Sequence, residues 1–320
     1  MRRAPAYRHA HLLRQPRRKR QRLFEHGIGA RAAQPVRASD GTCTGRSRAR
    51  SAVRHRCRPG LSTGARAGRR AGRRVSAPRV HGELRVVADE HQLWTALADL
   101  FVALAHEAIA RHGAFTVALA GGTTPKGAFA LLAQEPRRSQ VEWGRLSVFF
   151  SDERCVPPED PQSNYGLANR TLLSQVAIPA EHVHRMRGEL APQQAAEEYA
   201  SVLRDALGDD PVLDLVMLGM GPDGHTASLF PGTSPVGEQR LLVAAPFVPK
   251  FGAHRLTMTP RMINRARRVV IAAAGAEKAE ALQHALEGPV DPNLTPVQVV
   301  QPIGGALIWL VDRAAASLLT

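Results

Sequence analysis

The stretch GMGPDGHTASLFPGT, residues 219–233, follows the apolar run LDLVMLG and sets His225 two residues after Asp223 in a glycine-rich turn. Glycines at 219, 221 and 224 expose backbone, and Asp223 is close enough to orient the imidazole and support an imidazolium. A lone histidine is more often structural than catalytic, so its surroundings must carry the argument. There is no HExxH, no Cys/His cluster and no second histidine at ligand spacing, which sets metal chemistry aside. No GxSxG elbow exists to make His225 the partner of a nucleophilic serine. A base acting on water is the economical role that remains, with a helix expected to start at Thr226.

Two further polar motifs also end apolar runs. In AGGTTPKGAF, residues 120–129, Gly121 and Gly122 let backbone approach a ligand, Thr123 and Thr124 offer hydroxyls, and Pro125 suits a first helical turn whose N–H groups favour an anion. The loop reads either as a phosphate or sugar-oxygen cradle or as a tight strand-to-helix turn. Asp152, Glu153 and Arg154 close the run LSVFF. Arg154 could grip a phosphate bidentately or stabilise an oxyanion, with Asp152 orienting it or a sugar hydroxyl; a surface ion pair is the competing reading. Lys250, Arg255 and Lys278 are candidate phosphate ligands, although for each alone a solvated surface charge is the favoured reading. Asn164 and Tyr165, in SNYG, read as helix-capping residues before ligand contacts.

The elements that must position these motifs alternate along the chain. GELRVVAD reads as a strand, and Asp89–His112 as a helix with Asp89 at its N-cap and Leu93, Leu97, Leu100, Phe101 and Leu104 on one face. FTVALAGGTTPKGAFALLA reads strand, turn, helix, and RLSVFFSDER as a buried strand running into a polar tip. QSNYGLANRTLL and PQQAAEEYASVLRDAL are helical, and VLDLVMLGMG is a strand. LLVAAPFV, RLTMT and RRVVIAAAG are strands, Ala276–Leu286 is a helix, and GALIWLVD is the last strand. Continuous apolar strands between helices predict an α/β fold with an open, mostly parallel sheet and helices on both faces. In such sheets ligands bind beyond the carboxyl ends of the strands, which gathers GGTTP, SDER and GMGPDGH at one rim.

Charge divides the chain unevenly. Residues 1–80 carry 23 Lys and Arg against two acids, while residues 81–320 carry 20 against 26. The Arg-rich leader has no sustained apolar period and is expected to be disordered. Its arginines would suit phosphate backbones, but Tyr7 and Phe24 are its only aromatics and no recognition module is visible, so nucleic-acid binding is the minority reading. The leader weakly resembles an organelle transit peptide; the preferred account is that translation begins near Val75 or Val80. Cys43, Cys57 and Cys155 lack metal-ligand spacing, and a single thiol in the body suits a reducing cytoplasm. No stretch reaches about 18 uninterrupted apolar residues, so no membrane partner is expected.

Six ordered motifs, GGTTP, SDER, QSNYGLANRTLL, GMGPDGHTASLFPGT, RLTMTPRMIN and GAEKAEAL, resemble the 6-phosphogluconolactonase family over about residues 83–312. The resemblance implies a fold shared with sugar-phosphate isomerases and deaminases, and hydrolysis of 6-phospho-D-glucono-1,5-lactone to 6-phosphogluconate in the oxidative pentose phosphate pathway. It implies no cofactor and no metal, a sugar phosphate lactone as the small-molecule partner, and a monomer or weak homo-oligomer. By position, His225 would activate water and then return a proton to the ring oxygen, with Asp223 orienting it. Arg154 would bind the phosphate or the carbonyl oxygen, with Asp152 nearby, and Gly121, Gly122 and Thr123 would line the cradle. Lys250 and Arg255 match basic positions near phosphate, although the proline-rich stretch that many members carry after that lysine is here FGAH. Glucosamine-6-phosphate deaminase is the nearest rival, resembling this chain in the glycine loop and the DGH turn. It carries a glutamate five positions after the histidine, where this chain has Phe230. A non-catalytic sugar-phosphate or nucleic-acid binder using the leader is the reading from another class.

Overall fold

Apolar strands of five to seven residues separated by amphipathic helices leave few ways to bury both faces of every strand, and the chain takes the parallel one. The structure, a computed structural model, describes residues 82–320; the leader and the readings that fall on it lie outside the described residues. The elements run β1 (Glu83–Val87), α1 (Glu90–His112), β2 (Phe115–Leu119), α2 (Thr123–Leu132), α3 (Arg137–Gln140), β3 (Leu146–Phe150), β4 (Asp152–Arg154), α4 (Asn164–Thr171), α5 (Pro192–Leu207) and β5 (Leu215–Gly219). They continue with β6 (Val243–Ala244), β7 (Phe247–Val248), β8 (Ala253–Met258), α6 (Pro260–Ile263), β9 (Arg268–Ala273), α7 (Ala279–Leu286) and β10 (Ala306–Asp312). As expected, Asp89 caps α1, its carboxylate accepting from Gln92 N at 2.8 Å.

Six strands form an all-parallel sheet in the order β1-β10-β9-β5-β2-β3. Alternate residues of each strand enter opposite cores, as the two-residue period of a strand requires. Leu215, Met217, Val270, Ile308 and Leu310 face α1 and α2, where Leu93, Leu97, Phe101 and Phe129 are buried. Val216, Leu218, Val269, Ile271 and Trp309 face α5 and α7, where Tyr199, Leu203 and Leu282 are buried. By length and composition α1 could cross a bilayer, but this buried stripe is its reason for being apolar. The strand order reverses at β2. The chain moves from β2 to β3 on one side, whereas β5 pairs with β2 on the other, so the loops leaving β2 and β5 diverge and open a crevice.

One departure from the sequence reading shapes the site. LSVFFSDER is not one strand: it breaks at Ser151, whose N–H donates to Leu119 O at 2.8 Å while its carbonyl accepts from Met258 N at 2.7 Å. Past that residue the chain leaves the parallel sheet, and β4 joins β8 in a separate antiparallel sheet with β6. β3 is an edge strand, and the Phe150 N–H is satisfied by the buried Tyr199 hydroxyl at 2.8 Å.

Glu153 anchors the new direction. Its side chain is buried, with the residue 2% exposed, yet it accepts four hydrogen bonds. The donors are Arg154 N (2.8 Å), Asn164 N (2.7 Å), Tyr165 N (2.8 Å) and Ser163 Oγ (3.0 Å). Burial pushes its carboxyl up from the usual value, and these donors pull it back. Two of the donors are first-turn N–H groups of α4, so a carboxylate from β4 completes that helix end. Glu153→Gln turns an NH₂ group toward two of these donors and leaves them unsatisfied. It is expected to lower stability by about 1–3 kcal/mol in urea denaturation; wild-type stability would show that the four bonds do not anchor β4 to α4.

Candidate active site

A cavity of about 460 Å³ opens beyond the carboxyl ends of β2, β3 and β5. Its walls include Gly121, Gly122, Thr123, Asp152, Arg154, His225 and Arg255, so the structure brings together residues from all three expected rim loops and from β8. Lys278, Asn164, Ser228, Phe230 and Phe251 also line it. A larger cleft of about 970 Å³ lies at the other end of the sheet, against the first residues of β1, β9 and β10, and contains none of these motifs.

The β2 loop makes its close approach at Gly121, where a Cβ would collide with the Asn164 carboxamide oxygen. Gly122 is the N-cap residue of α2, which starts at Thr123 and carries Pro125 in its first turn. Asn164 does not cap α4; Ser163 does, accepting from Gly166 N at 3.0 Å. Asn164 Nδ2 instead donates to Asp152 O (2.9 Å) and Oδ1 (3.0 Å), and Ser228 Oγ donates to Asp152 Oδ2 at 2.8 Å. Asp152 is thus a fixed carboxylate in the cavity wall, 8% exposed, with a donor on each oxygen.

The β5 loop folds back on itself through Thr226 Oγ1 to Gly219 O (2.8 Å) and Gly221 N to His225 O (2.9 Å). At Gly221 a Cβ would strike the His225 ring, so glycine is what lets the imidazole lie against the loop. The helix expected at Thr226 does not form. Ala227 has φ 45°, in the left-handed region that non-glycine residues seldom occupy, and Thr226–Leu229 is a tight turn closed by Leu229 N to Thr226 O at 2.9 Å. That turn delivers Ser228 to Asp152.

His225 Nδ1 is hydrogen-bonded to Asp223 Oδ1, which leaves Nε2 for the cavity that the ring lines. Phe230 stacks on the imidazole with centroids 4.2 Å apart and planes 27° from parallel. Asp223 Oδ2 accepts from Lys250 Nζ at 2.7 Å. Partial burial works against charge on Asp223, but the bonds from His225 and Lys250 outweigh it and hold its carboxyl well below the usual carboxylate range. Lys250 is not part of the cavity wall; its ammonium stands behind the Asp223–His225 pair.

Arg154 and Arg255 stand opposite each other in the β4–β8 ladder. Among the described residues neither guanidinium has a carboxylate partner. Arg154 donates to the Gln162 carbonyl, and Arg255 lies over the Phe251 ring at 5.0 Å from its centroid. Burial, and then the neighbouring Arg154, push the Arg255 guanidinium down from its usual value. Lys278, from the 3-10 turn before α7, adds a third cation, paired only with Glu277 at 3.8 Å. Two guanidiniums without a carboxylate partner and one loosely paired ammonium around one cavity give it a charge that suits an anion. Ser228, Phe251 and the stacking role of Phe230 were not legible in the sequence, because each depends on loop conformation rather than on a periodic signal.

Residues 88–309 match the family model described as glucosamine-6-phosphate isomerases/6-phosphogluconolactonase. The chain is 42% identical over 216 residues to a 6-phosphogluconolactonase of Synechocystis sp., covering 65% of this chain and 86% of that one. It is 39% identical over 249 residues to the 6-phosphogluconolactonase of Homo sapiens, covering 75% and 94%. Among solved structures, the 6-phosphogluconolactonase of Trypanosoma brucei superposes with a TM-score of 0.68 at 29% identity, covering 75% of this chain and all of that one. The match spans the cavity, every loop that lines it and the sheet apart from β1 and the end of β10, and the chain belongs to the family of glucosamine-6-phosphate isomerases and 6-phosphogluconolactonases.

Proposed function

We propose that the chain is a 6-phosphogluconolactonase, a carboxylic ester hydrolase that opens 6-phospho-D-glucono-1,5-lactone to 6-phosphogluconate in the oxidative pentose phosphate pathway. The observation that carries this reading is one cavity holding an Asp-oriented imidazole at one wall and three cations around the rest. Water held by His225 Nε2 gives that nitrogen a proton and adds to the lactone carbonyl carbon. The C1–ring oxygen bond then breaks, and the imidazolium returns the proton to the departing oxygen. Asp223 is a positioning residue that fixes the Nδ1–H tautomer and supports the imidazolium charge. Arg255 and Lys278 hold the phosphate, and Arg154 binds the phosphate or the carbonyl oxygen. Asp152 accepts from a sugar hydroxyl, and Gly121, Gly122 and Thr123 supply backbone and hydroxyl donors. Lys250 keeps Asp223 ionised, in place of the phosphate contact expected of it.

Phe230 favours the lactonase over the deaminase. It occupies one face of the imidazole with a side chain that carries no proton, so a ring-opening relay has no acid at that point. We place the enzyme in the cytoplasm as a monomer or weak homo-oligomer without membrane or nucleic-acid partners, and the leader outside the reaction. The acidic balance of residues 81–320 supports the exclusion of nucleic acid. A rapid assay of freshly generated lactone should show hydrolysis well above the spontaneous rate, equal in the full chain and in residues 81–320, and none of glucosamine 6-phosphate. Deamination, or no acceleration of lactone opening, would refute the assignment.

His225→Ala should lower kcat by about 100- to 10,000-fold, the range for a positioned base, with the fold intact by circular dichroism. Near-normal turnover would remove His225 from the mechanism. For Asp223 the sign follows from its depressed carboxyl. The stability that its charge contributes is fully present above the ordinary aspartate value, about 3.9, and is lost as pH falls through the lower folded value. The stability gap between wild type and Asp223→Asn should therefore be constant from pH 7 to about pH 5 and shrink below about pH 4. Urea denaturation at several pH values measures it, and a gap that already closes near neutrality would contradict the pairing.

A further inference from the structure

An anion site requires cations that are held in place without being neutralised. A carboxylate partner positions a guanidinium well but cancels its charge and occupies the N–H fork that a phosphate needs. Arg154 meets the requirement with a neutral carbonyl, Gln162 O. Arg255 has only a long hydrogen bond, Nη1 to His254 O at 3.5 Å, and no ion pair among the described residues. What lies against it is Phe251, in the 3-10 turn Pro249–Phe251 before β8, with the guanidinium carbon 5.0 Å from the ring centroid.

Phe251 is 48% exposed, although it lines the cavity and meets the buried Phe230 edge to face at 5.4 Å and 76°. Nothing in core packing calls for a large aromatic at so open a position. The Lys250 ammonium lies 5.7 Å from the same centroid while its charge pairs with Asp223. The negative face of the ring attracts a cation without taking its N–H groups. Packing against Phe230, which is itself stacked on His225, fixes the position of the ring relative to the base.

We infer that Phe251 is a positioning and specificity residue, an aromatic plate that holds the Arg255 guanidinium at the cavity with its donors free for the substrate phosphate. The inference rests on the phosphorylated substrate proposed above and names the element that fixes its anionic end.

The test is calorimetric titration of the full chain with 6-phosphogluconate, and with inorganic phosphate as the simplest probe. Wild type, Phe251→Leu, Phe251→Tyr, Arg255→Ala and the Phe251→Leu/Arg255→Ala double variant are compared. Phe251→Leu should weaken binding of both anions by about 3- to 10-fold, as loss of a partly exposed cation–π contact predicts, and Phe251→Tyr should bind like wild type. In the Arg255→Ala background Phe251→Leu should add less than about twofold, because its effect passes through the guanidinium. Unchanged affinity in Phe251→Leu would overturn the inference, and so would an equal loss in both backgrounds. The readout needs no turnover. Absent lactone hydrolysis with this binding pattern intact would refute the proposed activity and leave the role of Phe251 standing.

Discussion

Two adjacent carboxylates, Asp152 and Glu153, are buried where the chain leaves its parallel sheet, and the cavity takes its form from the donors they demand. A buried carboxylate without hydrogen bonds costs far more than a neutral group, so each must be saturated. Glu153 takes its donors from the start of α4 and from the backbone of Arg154. Asp152 takes one from Asn164 and another from Ser228, 76 residues further along the chain. Three segments distant in sequence are thereby held at one point. Ala227 accepts an unfavourable backbone conformation in the same cause, since the turn it makes brings Ser228 to Asp152.

Charges around the cavity follow two opposite rules. At the base, Asp223 is bound on both oxygens, by His225 and Lys250, so its charge is fixed and its geometry set. Across the cavity wall Arg154 and Arg255 have no carboxylate partner among the described residues, Lys278 is paired only loosely with Glu277, and like charges stand beside each other in the β4–β8 pair. Such an arrangement stabilises the protein less than paired charges would, and it suits a site whose missing partner is a phosphate. In the function proposed, the paired Asp223 beside His225 serves the proton and the unpaired guanidiniums serve the anion.

The parallel sheet, the N-cap at Asp89 and the gathering of three loops were legible because each depends on a strong local pattern. These were apolar runs, a capping residue before an amphipathic period, and glycines at strand ends. The helix expected at Thr226 failed for a local reason, as Ala227 turns left-handed and closes the segment on Leu229. The break at Ser151 had no signal, because LSVFFSDE is apolar enough to read as one strand and only pairing with β8 divides it. Lys250 was expected near phosphate from its charge and from the family resemblance. Its ion pair with Asp223 depends on where the 3-10 turn before β8 comes to rest, which no spacing rule encodes.

Phe230 shows why a substituted residue has to be read for what it does as well as for what it replaces. In the sequence it counted as a missing glutamate; in the structure it is a wall. Stacked 4.2 Å from His225, it denies one face of the imidazole to water, while Asp223 occupies Nδ1, so proton traffic is left to Nε2 on the cavity side. The same ring meets Phe251, which lies under Arg255, so the base and one arm of the anion site are spaced by two apolar rings. Apolar spacing separates the two charges without adding a third titrating group between them. A glutamate at that position would have put a second titrating group beside His225, where Phe230 leaves the imidazole with Asp223 alone.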